Sequence, residues 1–116
     1  MMARIERFED IQSWQQARVL VTIVYKLSNN WKDHNLKSQI RRAAVSIMNN
    51  IAEGFERQTN KDFRHFLYMA KGSCAEIRSM LAVIADLEII TADQQKELST
   101  ECEEISKLLS GLIKTL

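Results

Sequence analysis

Seven apolar residues, Phe63, Leu67, Ala70, Cys74, Ile77, Leu81 and Ile84, follow one another at alternating steps of four and three. No strand brings them to one face, because strand side chains alternate every second residue. A helix does so directly, and a seam of this period suits a near-parallel neighbour crossing at roughly +20°. The seam begins just after TNKD, in which Thr59 can cap a helix while Asp62, three residues on, reaches back. The chain has no proline and only three glycines, so little interrupts such segments.

Three further segments read the same way. Ile11, Trp14, Ala17, Val21 and Val24 share one helical face, and Ser28-Asn29-Asn30 ends that run. His34 falls in the polar connection that follows. Leu36, Ile40, Ala43, Ala44, Ile47, Met48, Ile51, Ala52 and Phe55 fall on one side of a second helix. Thr91, with Gln94 as its capping-box partner, opens a fourth, carrying Leu98, Cys102, Ile105, Leu109 and Leu112. Gly72 and Ser73 lie inside the third helix, where glycine costs about 1 kcal/mol relative to alanine. A close backbone approach is the expected compensation. Short connections favour antiparallel neighbours. The expected fold is therefore all-α, a single domain over 1–116 forming an up-down-up-down antiparallel four-helix bundle. Its helices are expected at about 8–28, 36–56, 60–89 and 92–115.

An enzyme needs reactive groups within reach of one another, and the chain offers few. The two histidines, His34 and His65, have no second His, Cys or carboxylate at metal-site spacing. The Glu-x-x-His pattern of di-iron bundles, the Gly-rich phosphate loop and GxSxG do not occur. Cys74 and Cys102 sit on apolar seams and are expected in the core. The expectation is a non-enzyme with no cofactor and no metal. The apolar runs are too short to span a membrane, and MMARIERFED lacks a signal peptide's apolar stretch. A cytoplasmic location is expected.

Charge is uneven along the chain. Residues 1–80 carry thirteen Lys/Arg against eight Asp/Glu, a surplus of +5, whereas 81–116 carry three against seven, or −4. Lys61, Arg64, Tyr68, Lys71 and Arg78 line one face of the third helix, bordered by His65. A cationic line with an interleaved aromatic suits a nucleic-acid backbone and an unstacked base; a merely solvated outer face is the plainer reading. On the fourth helix Asp93, Glu97, Glu101 and Glu104 share a face. The two stripes would complement each other across a subunit boundary, a heterologous contact of the kind that closes into rings.

The second helix poses its own question in QIRRAAVSIMNNIAEGFER, Gln39 to Arg57. Arg42, Ser46, Asn49, Asn50, Glu53 and Arg57 lie away from Ile47 and Ile51, while Arg41 lies at the edge of the apolar face. Short amides and a hydroxyl suit a semi-buried hydrogen-bonded contact better than open water. Arg41, Ser46, Asn49, Asn50 and Glu53 are therefore expected in a structural network, within or between subunits. Arg42 and Arg57 join the candidate phosphate contacts.

That same stretch closely resembles the signature of the four-helix-bundle proteins also called 23S rRNA-intervening-sequence proteins. FEDIQSWQQAR is similar to the opening of this family and KDFRHFLYMAKGSCAEI to its third-helix motif. The resemblance implies a four-helix bundle, often a homopentameric ring. It also implies kinship with the accessory variability determinant of diversity-generating retroelements, a strongly basic pentamer that binds nucleic acid and a reverse transcriptase. Where the family often has proline, this chain has Lys32 and Met48. Its near-neutral charge also departs from that relative. The expected partners are the chain itself and nucleic acid or a nucleic-acid enzyme. The alternative is a protein-protein adaptor whose stripes serve assembly alone.

Overall fold

A computed structural model describes residues 4–116. Four α-helices follow a single 3-10 turn at Phe8–Asp10: α1 (Gln12–Leu27), α2 (His34–Phe55), α3 (Asn60–Asp86) and α4 (Ala92–Lys114). The expected first helix thus breaks in two. Ile11 is extended (φ −75°, ψ 122°) and separates the 3-10 turn from α1. The Phe8 ring packs edge-on against Trp14 at 5.3 Å across that break. The second helix starts earlier than expected because Asp33 caps it, accepting from the Leu36 amide at 2.9 Å; His34 is its first residue. Thr59 accepts from the Asp62 amide, and Thr91 and Gln94 form a full reciprocal capping box.

The third helix ends three residues before the expected Ile89. Glu88 takes a left-handed conformation (φ 60°). The Ile89 amide then reaches the Ile84 carbonyl at 3.1 Å, and the Glu88 amide reaches that of Ala85 at 2.9 Å. This is a Schellman stop with glutamate where glycine is usual. The C-terminus of α1 is closed from outside. Arg41 on α2 donates to the Ser28 hydroxyl (2.8 Å) and the Tyr25 carbonyl (3.1 Å), and Lys37 donates to the Asn29 carbonyl (3.0 Å). Two cations so placed satisfy free carbonyls and oppose the negative end of the helix dipole.

Side-chain pairings fix the directions. Gly54 lies against Phe66 and Ser46 against Ser73, so α2 and α3 run antiparallel. Arg64 meets Leu116, Lys71 meets Ser110 and Arg78 meets Glu103, so α3 and α4 do too. One core is shared by all four helices, with Leu20, Ile47, Leu67, Ile77, Leu81 and Ile105 fully buried in it. The rod measures 46 × 22 × 19 Å. Helix α3 packs closely on both α2 and α4, whereas α1 and α4 meet thinly. Between them lies a groove of about 840 Å³ lined by Ile5, Ile11, Leu108 and Leu112. No helix of the described residues is long and apolar enough to cross a membrane.

The close approach expected at Gly72 occurs at Gly54 instead. A Cβ on Gly54 would sit 2.7 Å from Phe66 Cβ and 3.0 Å from Phe63 Cδ1, whereas a Cβ on Gly72 would meet nothing within 4 Å. At Gly54 α2 and α3 approach closely, and Phe55 and Phe63 pack edge-on beside it at 6.0 Å.

Candidate interaction surfaces

The polar set of α2 divides by position. Ser46 and Asn50 lie on the α3 side, where Asn50 Nδ2 donates to the Ser46 hydroxyl (3.0 Å) and carbonyl (2.9 Å). Ser73 Oγ of α3 donates to Ser46 Oγ at 2.9 Å, so two helices share one half-buried network. Arg41 points the other way, to the end of α1, and its guanidinium lies 4.3 Å from the Tyr25 ring. Asn49 and Arg42 are exposed. Glu53 pairs with Arg57 at 2.8 Å one turn on, and the Arg57 guanidinium lies 4.8 Å over the Phe66 ring.

The basic stripe of α3 faces α4. Arg64 Nη1 donates to the Leu116 carbonyl at 2.6 Å, and Lys71 Nζ donates to Ser110 Oγ at 2.6 Å. Arg78 lies 3.5 Å from Glu103, with both side chains about half exposed; so exposed a pair contributes little to stability. Each cation retains donors beyond these contacts, since a guanidinium carries five N–H groups and an ammonium three. Lys61 and Tyr68 are exposed at the outer edge of the stripe.

A shallow groove beside this stripe is lined by Arg78, Lys107 and Lys114, with Ser106, Ser110 and Gly111 on its floor and Glu103 as its acid. Together α3 and α4 set Arg64, Lys71, Arg78, Lys107 and Lys114 along one seam. Lys107 and Lys114 belong to the acidic C-terminal part of the chain. Their spacing on α4, seven residues, puts them on one edge of that helix. The acidic stripe occupies another edge. Asp93, Glu97 and Glu104 are exposed, Glu101 is partly covered, and Glu104 lines the α1–α4 groove instead.

Among the described residues no cluster of three His, Cys, Asp or Glu is placed to hold a metal ion. Both cysteines are free and buried. Burial pushes Cys74 from the ordinary 9.0 to about 11, an effect that nearby Lys71 partly offsets. It pushes Cys102 to about 12. Such thiols stay protonated and act as small apolar groups.

Comparison with known proteins agrees with this architecture. No curated protein matches the chain. Among solved structures, the chain is similar to a protein of unknown function from the S23 ribosomal protein family of Bacteroides thetaiotaomicron. The two share 31% identity and a TM-score of 0.77, over 88% of this chain and 91% of that one. A family model described as 23S rRNA-intervening sequence protein matches residues 9–111, and the chain belongs to that family.

Proposed function

We propose that the protein is a non-enzymatic, self-assembling helical scaffold that binds nucleic acid or a nucleoprotein through the α3–α4 seam. The observation that carries this reading is that Arg78 from α3 and Lys107 and Lys114 from α4 line one groove, with Arg64 and Lys71 of α3 reaching α4 along the same seam. A phosphate backbone repeats its charge at short intervals, and a line of cations on a rigid support follows it without reading bases. Ser106 and Ser110 add hydroxyl donors, and Gly111 leaves the α4 backbone open, with nothing within 4 Å of where a Cβ would stand. Exposed Tyr68 offers a stacking face at the margin. Arg42, Arg57 and Lys61 extend the cationic surface beyond the groove.

The test is titration of a labelled short single-stranded RNA, and of a duplex of equal length, across a salt series. Affinity is expected to fall linearly with salt on logarithmic axes, by about 0.7 to 0.9 per phosphate neutralised. Lys71→Glu with Lys107→Glu is expected to weaken binding and flatten that slope. Absence of binding to either probe at low salt refutes the nucleic-acid reading. It leaves the adaptor reading, in which the charged edges serve contacts between copies, as the ring of five implied by family resemblance would require.

A further inference from the structure

We infer that the nucleic acid held by the α3–α4 seam is a single strand, and that each chain grips about five consecutive phosphates of it. This rests on the reading of the seam as a nucleic-acid surface and extends it to the class of strand and the size of the site. Two contacts fix the register of α4 against α3. Lys71 meets Ser110 and Arg78 meets Glu103, seven residues on along one helix and seven back along the other. Lys107 is three residues before Ser110 and four after Glu103, so it stands between Lys71 and Arg78 along the seam. Lys114 is four residues beyond Ser110 and two short of Leu116, which Arg64 meets, so it stands between Arg64 and Lys71. The cations therefore alternate between the helices in the order Arg64, Lys114, Lys71, Lys107, Arg78. Their steps of three or four residues are about 4.5–6 Å, and the row runs ~21 Å.

Little offsets this charge. Glu103, beside Arg78 at one end, is the acid that shares the row. Glu104 lines the α1–α4 groove instead, and Glu76 lies about 140° round α3 from Lys71. Lys107 and Lys114 are exposed and pair with no acid among the described residues. Arg64 and Lys71 each spend a donor on α4 and keep others. Like charges set in a row repel one another, and a polyanion laid along them relieves that repulsion.

The shape of the row selects the strand. It follows the seam of two long helices, so it is narrow and nearly straight. A duplex carries about one charge per 1.7 Å of axis, on two strands that wind round it. A straight row meets either of those strands only where it crosses. A single strand bends freely and can lie along the whole row, one phosphate to a cation. Tyr68 favours the same occupant. It stands exposed (58%), and its place in α3 is between the levels of Arg64 and Lys71. An unpaired base can stack on such a ring, whereas a base inside a duplex cannot reach it.

The test titrates the full chain with labelled single strands of graded length, RNA and DNA in separate arms, and with a blunt-ended duplex, across a salt series. A strand of about six nucleotides, with one phosphate between each pair, is expected to show a logarithmic salt slope of about 3.5. Each nucleotide removed from it should lower that slope by about 0.7. RNA and DNA strands should bind alike, because the row meets phosphates. A duplex long enough to stay paired should bind more weakly than a single strand of its own length. Lys107→Gln and Lys114→Gln should each take about 0.7 off the slope without moving Tm, since both side chains are exposed. Glu103→Gln should tighten binding by freeing Arg78. Lys96→Gln is the control: Lys96 lies seven residues from Glu103, past the end of the row, and its loss should leave the slope unchanged. No binding of any strand or duplex at low salt overturns the inference and the nucleic-acid reading together. A duplex bound as tightly as the single strand, or a slope unmoved by Lys107→Gln and Lys114→Gln, overturns the inference alone.

Discussion

Replacing Gly54 by alanine tests the close approach of α2 and α3. Its added Cβ would lie 2.7 Å from Phe66 Cβ, where carbon atoms prefer about 3.5–4.0 Å. Roughly 1 Å must therefore be found. Phe66 Cβ cannot rotate away, because it hangs directly on the α3 backbone; the two helices have to part. Such overpacking costs about 1–3 kcal/mol. Alanine returns up to about 1 kcal/mol of helix preference, less near a helix end. The net loss is about 1–2 kcal/mol. For a domain of this size that is roughly a 4–8 °C drop in Tm. In urea, the midpoint is expected to fall with the m-value unchanged. Gly111→Ala is the control: with nothing within 4 Å of its Cβ, it should gain about 0.5–1 kcal/mol. Gly54→Ala as stable as the wild type would refute the packing argument.

Glu88→Gly should raise stability by about 1 kcal/mol, since glycine takes φ 60° freely and an acid is removed from a helix C-terminus; a lower Tm would contradict the Schellman assignment. Ser46→Ala should cost about 0.5–1.5 kcal/mol by removing the hydroxyl that accepts from both Ser73 and Asn50, although Asn50 keeps the Ser46 carbonyl and Ser73 the Met69 carbonyl, whereas Ser46→Ala with Ser73→Ala should cost less than the sum of the two single changes; strict additivity in urea melts would deny the network. The thiols should resist aromatic disulfide reagents at pH 8 until the chain unfolds. Their folded pKa values exceed the ordinary 9.0, so the folded state holds protons the unfolded state has lost. Their contribution is intact below pH 9 and declines as pH rises towards about 12; stability rising over that window would reverse the sign.

The helices were legible because apolar side chains recur at one period over long stretches. Their ends were legible only where a cap has the common chemistry, as at Thr59 and Thr91. Ile11 offers no capping side chain, and Glu88 holds a position that glycine normally marks, so those boundaries needed the backbone. Spacing also could not tell which glycine is crowded. Gly54 and Gly72 both sit in helices, and only the register of α2 against α3 separates them. The candidate groove was half visible for the same reason. Arg64, Lys71 and Arg78 share a helix face, but Lys107 and Lys114 sit among acids in sequence. They join the stripe only once Arg78 is known to stand opposite Glu103.

The thin meeting of α1 with α4 implies a hierarchy in how the bundle comes apart. The Ser13 hydroxyl lies on that side of α1, beside the α1–α4 groove, and no other described protein group hydrogen-bonds it. Helix α3 packs closely against both α2 and α4, while α1 leans chiefly on α2 and is held at its far end by Arg41 and Lys37. Opening should therefore begin at the N-terminal end of α1 and run towards that clasp. Amide hydrogens near Ser13 would exchange well before those of α3. The first helix behaves as a hinged flap on a three-helix body.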